Sequence, residues 1–442
     1  MMETLEELVE HVRERVADVA EASLRSAAGT FRSGQKNLAE VEWAIQEDVR
    51  QVGRVIFGAA LSTVGTGREG CSLPCECRST KRYVSDRPKT LVTLFGPVEF
   101  RRAYYNCSNC GHGESPLDRK LGVEGTSVTP AVKDVLAWTN VEMPYGPSRE
   151  HLLRVLGLSL AKDTHETVVA ELGESVQPGE ESRAREAFAG LPPAEQLYIT
   201  CDGVKTNTTE GWKEPKLGAV FRAERNEDGK PVRGPTRYIG RIEDSETFGQ
   251  RLWRLAEAAG VEKAKTVIVL GDGALWIWNL ADFHFPGAVQ IVDWYHATER
   301  LAALATRVWG ESSPEGKAWY EARKAELWDG RVDAVLTALS HLTVRPLAVR
   351  DAIRKAIGYF EDNQHRMQYG EFRAKGHFIG SGVVEGACKF IIARRFKLSG
   401  MRWTIDGFHR LLNLRLCIIN RDWDRFARSH FPRVSAPAYT YF

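Results

Sequence analysis

No stretch of 18 apolar residues occurs anywhere in this 442-residue chain, so the sequence predicts no membrane span. It also lacks a secretory opening: the first twenty residues mix Glu, Arg and apolar side chains, with no basic start followed by an apolar block, which points to the cytosol. Net charge is nearly absent, with 60 Lys and Arg against 58 Asp and Glu, and bulk charge therefore does not announce a polyanionic partner. Cysteine is scarce, and eight in a chain of this size are too few for a disulfide framework. Five of the eight fall between residues 71 and 110, however, and clustered cysteines in a reducing compartment suggest metal. What is abundant is core material. A 43% hydrophobic fraction with 12 Trp, 18 Phe and 12 Tyr is globular, and the length exceeds one ordinary core.

Residues 1–63 carry Leu5, Leu8, Val12, Val16 and Val19, then Leu38, Val41, Ile45, Val49 and Val52, at helical spacing. Such a stripe serves either as a dimer seam or as packing between two helices of one chain, and the segment is assigned to dimerisation or DNA binding. Residues 64–125 turn to Gly, Cys and Pro around two β runs joined by Gly96-Pro97, a small unit in need of a staple. Residues 126–195 hold three helical pieces, over 130–138, 148–156 and 161–172, compatible with a helix-turn-helix or an ordinary connector. The Pro, Gly and Glu of 177–195 read as a linker.

From 196 the predicted order is strands over 196–201, 217–222 and 236–242, a helix over 247–259, a strand over 266–270, a helix over 274–280 and a strand over 288–292. Helices follow. That order predicts an α/β fold with a ribonuclease H-like mixed sheet. The expected catalytic core is 196–296, with 380–442 as its second part and 297–379 as a helical insertion.

Asp202 and Asp272 end two apolar runs, each beside glycine, and Glu385 lies in the small-residue stretch Gly380-Ser381-Gly382-Val383-Val384-Glu385. Three carboxylates at element ends can hold two hard cations, Mg2+ or Mn2+, over a phosphodiester. Taken singly, Asp-Gly is turn chemistry. Asp293 and His296 sit three apart at a helix start, either a plain N-cap or support for the acids. Cys71, Cys75 and Cys77 precede the β runs, and Cys107 and Cys110 follow them, so four of the five suit a structural Zn2+. Lys389, Arg394, Arg395, Lys397, Arg402 and Trp403 form a basic and aromatic surface for nucleic acid close behind Glu385.

With these motifs in view, the sequence resembles the ISKra insertion-sequence transposases, relatives of the Mutator-like DDE group. The likeness covers most of the chain from about residue 70. It rests on Pro88-Lys89-Thr90-Leu91-Val92-Thr93-Leu94-Phe95-Gly96-Pro97, on Arg101-Arg102-Ala103-Tyr104-Tyr105 with Cys107 and Cys110, and on Asp202-Gly203-Val204. Gly271-Asp272-Gly273-Ala274, Asp293 with Tyr295-His296-Ala297, and Gly380-Ser381-Gly382 with Val384-Glu385 complete it. The chain departs from its relatives in the first cysteine knuckle, where Cys-x-x-Cys is usual. The resemblance implies that Asp202, Asp272 and Glu385 are the DDE triad, that Asp293 and His296 are the Asp/Cys-x-x-His signature, and that a helical insertion separates His296 from Glu385. It further implies Mg2+-dependent cleavage and strand transfer on terminal inverted repeats and target DNA, by a dimer or higher homo-oligomer in the cytoplasm at the nucleoid. Two rivals are an inactive or domesticated relative whose output is DNA binding, and a carboxylate-pair glycosidase, which needs no metal.

Overall fold

The computed structural model describes residues 4–33, 38–227, 231–380 and 382–431. They divide into two compact units, one of residues up to 169 with those after 426, the other of residues 170–426. Among the described residues no helix is long and apolar enough to cross a membrane.

In the first unit, α1 (Leu5–Arg32) and α2 (Leu38–Ser62) are the expected helices. Thr4 and Glu7 close a capping box at the start of α1, each side chain accepting from the other's backbone N–H. The pair hides little: α1 has no buried residue and α2 buries Val41 and Leu61, while Leu5, Leu24, Leu38 and Val49 are exposed. The expected pair of β runs is a four-stranded antiparallel sheet of β1 (Ser72–Pro74), β2 (Thr80–Thr93), β3 (Gly96–Cys107) and β4 (Gly113–Glu114). The two extra strands are too short to show a period in the sequence. Gly96 turns the β2–β3 hairpin at φ +108°, where a side chain would be strained. Next come α3 (Pro116–Lys120), α4 (Pro130–Glu142), α5 (Tyr145–Leu156) and α6 (Lys162–Val176). His165 is fully buried, 3.1 Å from Asn140 Oδ1 and 3.4 Å from Ser148 Oγ, and burial pushes its pKa down to about 4, so it is a neutral packing group at physiological pH.

The second unit centres on five strands, β5 (Gln196–Gly203), β8 (Lys216–Arg225), β9 (Pro231–Arg241), β10 (Thr266–Gly271) and β11 (Val289–Val292), in spatial order β11-β10-β5-β8-β9. The strands β5, β8 and β9 pair antiparallel, and β5, β10 and β11 pair parallel. This is the ribonuclease H-like mixed sheet. Leu197, Tyr198, Ile199 and Cys201 of β5 are all buried, as a central strand covered on both faces requires. The segment read as a linker contains α7 (Glu180–Phe188), whose Ala184 and Phe188 enter the same core as the sheet. Its charged and Gly-Pro composition masks a stripe of only two apolar positions.

The helix α8 (Ser245–Ala258) lays Phe248, Leu252, Leu255 and Ala256 on the core, a one-sided stripe at i, i+4, i+7 and i+8, capped by Asp244 accepting from Thr247 N at 2.8 Å. After α9 (Leu275–His284) comes a helical insertion of α10 (Trp294–Trp309), α11 (Pro314–Trp328), α12 (Val332–Ser340), α13 (Leu347–Asp362) and α14 (Tyr369–Ala374). It is tied back to the sheet: Tyr369 Oη donates to Val292 O at 3.0 Å, and Phe378 N donates to Tyr198 Oη at 2.9 Å. The chain ends with α15 (Gly382–Ala387), a π-helical turn over Cys388–Ala393, α16 (Arg394–Phe396), α17 (Ile405–Ile419) and α18 (Trp423–His430).

Candidate functional site

The strand registers bring the acids into line. In the parallel pairing Thr200 faces Leu270 and Gly271 faces Val292, and continuing those offsets by one or two places sets Asp202, Asp272 and Asp293 in one row. The row crosses three neighbouring strands at their carboxyl ends, with adjacent strands about 4.8 Å apart. Backbone amides fix the acids, Gly203 N donating to Asp202 Oδ1 at 2.6 Å and Ala274 N to Asp272 Oδ1 at 2.8 Å. The turn after Asp272 needs glycine: Gly273 has φ +98°, and a Cβ there would lie 2.4 Å from Tyr359 Cε2.

Asp293 is buried and caps α10, accepting from His296 N at 2.9 Å, while its own N–H donates to Gly271 O at 2.7 Å. Asp293 is therefore the N-cap of α10, hydrogen-bonded to the end of β10 through its own backbone. His296 is half-buried, with Glu299 Oε2 at 3.8 Å.

Glu385 lies on α15, which packs across β5 and β8. One turn on lies the buried Cys388, whose thiol is pushed well up by burial first and by the neighbouring Asp202 charge next, so the chain after Glu385 runs close to the first acid. The π-helical turn that begins there frees backbone carbonyls, and the buried Arg415 takes them up, Nε donating to Ile391 O at 3.0 Å and Nη2 to Phe390 O at 2.7 Å. Lys389 neutralises Glu385 at 2.5 Å.

Burial pushes the Asp202 carboxyl above the ordinary aspartate range; the Gly203 N–H opposes this and the Asp272 charge adds to it. A folded state that holds a proton more tightly than the unfolded chain is stabilised below the ordinary aspartate range and loses that stability as pH rises through the raised value. Asp202→Asn should consequently raise the melting temperature at neutral pH without divalent cation, and the gain should shrink as pH falls into the ordinary aspartate range. Thermal denaturation across pH measures this, and a lower melting temperature for the variant at neutral pH would contradict it.

Among the described residues, the one group of three or more metal-donor side chains with all donor atoms within 4.8 Å is Cys75, Cys77, Cys107 and Cys110. The sulfur separations are 3.5 Å for Cys75 to Cys110, 3.5 Å for Cys75 to Cys77 and 3.6 Å for Cys77 to Cys107. A tetrahedral Zn2+ with Zn–S of about 2.3 Å asks for sulfurs about 3.8 Å apart, so the four fit a structural zinc. Each knuckle is a tight turn, with Arg78 N donating to Cys75 O and Gly111 N to Cys107 O, both at 2.9 Å. The Asn109 amide donates to Cys77, which is held down to about 6. Cys71 is exposed and outside the group.

Of the basic surface, Lys389, Arg394, Lys397 and Arg402 are exposed. Two expected members lie elsewhere. Arg395 is 1% exposed, because the turn it shares with Ile391, Ile392 and Phe396 presents its face to the core. Trp403 is half-buried, its indole N–H donating to Phe396 O at 3.1 Å, which leaves it a packing residue and not a free platform. Its main chain instead anchors an unforeseen hairpin, β6 (Thr206–Thr208) and β7 (Gly211–Lys213), which follows Asp202 and exposes Trp212. Three-residue strands of Thr, Asn and Gly carry no periodic signal, so only the exposed Trp could have marked it.

The sequence matches the family described as Uncharacterised protein family (UPF0236) over residues 33–424. The chain belongs to this family. No curated protein matches it. Among solved structures it is similar to the Drosophila P element transposase strand transfer complex, at 9% identity and a TM-score of 0.26, over 70% of this chain and 83% of that one.

Proposed function

We propose that this member of the family is a DDE transposase of the ISKra insertion-sequence type, which binds transposon ends and catalyses strand cleavage and strand transfer. The observation that carries the reading is that Asp202, near the end of β5, and Asp272, directly after β10, close two adjacent parallel strands of a ribonuclease H-like sheet, with the Glu385 helix packed across β5. Oxygen donors of this kind suit hard cations, and Asp202, Asp272 and Glu385 would hold them. Two bound Mg2+ or Mn2+ ions would activate the attacking oxygen and stabilise the leaving one. Asp293 orders the start of α10, which carries His296. Lys389, Arg394, Lys397 and Arg402 hold the DNA backbone beside the acids. The protein's catalytic share is positioning and charge, with no covalent intermediate.

In this reading residues 64–125 are a zinc-ribbon-like unit, 126–195 a helical segment of helix-turn-helix type with a linker, 196–296 and 380–442 the catalytic core, and 297–379 the insertion. Residues 1–63 join two copies through apolar side chains such as Leu5, Leu24, Leu38 and Val49, which are exposed in the single chain.

The test is to incubate the protein with duplexes carrying the DNA that flanks its gene. Expected are Mg2+-dependent cuts at inverted repeats leaving 3′ hydroxyls, abolished by chelation. Absence of any cutting under Mg2+ or Mn2+, or cutting that survives chelation, overturns the reading.

A further inference from the structure

Arg300 stands one helix turn beyond His296, outside the set of acids and cations described above. Arg300 lies four residues after His296, so the two share a face of α10. Its guanidinium carbon sits 3.9 Å above the centre of the Tyr359 ring, which comes from α13 of the helical insertion. Tyr359 is itself fixed: its Oη donates to the main-chain oxygen of Asp272 at 3.1 Å, and its ring fills the space that a side chain at Gly273 would need. The stack therefore pins Arg300 against the turn that carries the second acid.

The Tyr359 side chain also takes a hydrogen bond from Arg300, which leaves the other donors along the guanidinium edge. A cation–π stack uses the flat face of the group and leaves its N–H donors pointing outward in the plane, ready for a bidentate acceptor. Among the described residues no ion pair to a carboxylate is found for Arg300, although the charges of Asp272 and Asp293 both act on its stacking partner Tyr359. Arg300 is exposed.

We infer that Arg300 is a phosphate-binding residue, donating through its other N–H groups to the non-bridging oxygens of the DNA strand held against Asp202, Asp272 and Glu385. This rests on the transposase reading for the identity of the strand, but the contact itself is read by binding alone. Tyr359 acts as its positioning residue and couples the helical insertion to the Asp272 turn.

The experiment measures affinity for a duplex of the gene-flanking DNA by fluorescence anisotropy between 50 and 200 mM salt, with Ca2+ in place of Mg2+. Arg300→Ala should make the log–log salt slope shallower by about 0.9, which narrows the fall in affinity across that range by about 3.5-fold. Arg300→Lys keeps the charge and should recover the slope while binding more weakly than wild type. A wild-type slope and affinity in Arg300→Ala, or no DNA binding by the wild-type protein, overturns the inference. Parallel cutting assays in Mg2+ separate the two claims: a shallower slope with an uncut duplex supports the contact and sinks the transposase reading, and cutting with an unchanged slope does the reverse.

Discussion

Asp202→Asn, Asp272→Asn and Glu385→Gln should each lower end cleavage by about 10³-fold, roughly 4 kcal/mol of transition-state stabilisation, with binding to the ends retained. Each change keeps the shape of the side chain and removes one charge. For Asp202 and Asp272 the accepting oxygens that hold the turns, from Gly203 N and Ala274 N, survive in the amides, so the backbone should stay in place. For Glu385 the ion pair with Lys389 is lost, but both groups lie on the surface of one helix and the pair is worth little to stability. A loss of cutting therefore reports on the reacting site and not on folding. Cutting at the wild-type level by any of the three removes that residue from the triad.

The second large effect is expected at the cysteines. Cys107→Ser should remove the zinc equivalent from the protein and leave the small sheet open to proteolysis, whereas Cys71→Ser should change neither. Structural zinc in small domains is worth about 10 kcal/mol or more of folding free energy. The apolar cluster beneath this sheet, Leu61, Leu91, Val98, Phe100, Leu117 and Val123, is too small to replace that contribution. Cys107 is fully buried at the end of β3, and its backbone N–H is already committed to His112 O. Metal analysis and limited proteolysis of the two variants measure the difference. Full zinc content in Cys107→Ser, or its loss in Cys71→Ser, would overturn the assignment of Cys75, Cys77, Cys107 and Cys110.

Much of the second unit could be read from the chain because its signals are local and long. The run ending at Asp272 is an uninterrupted apolar segment and the run ending at Asp202 is broken only by Thr200, as strands covered on both faces require, and α8 repeats its apolar face at i, i+4, i+7 and i+8. Glycines next to each acid marked strand ends. What stayed hidden depends on contacts between distant segments. Arg395 and Trp403 have surface composition, and only the packing of the turn after Cys388 against α17 takes them inside. Arg300 and Tyr359 lie on separate helices with nothing in either neighbourhood to join them. Among the cysteines, composition allowed three to compete for two places, and the fold of the knuckle left Cys71 out.

The account turns on whether the acid row binds divalent cation, and Mn2+ titration followed by electron paramagnetic resonance asks this without DNA or turnover. The zinc-loaded wild-type protein is predicted to take up Mn2+, with uptake reduced at least tenfold in affinity in Asp202→Asn and in Asp272→Asn. Equal Mn2+ affinity in the wild type and both variants would contradict the assignment of these acids as the metal-holding site.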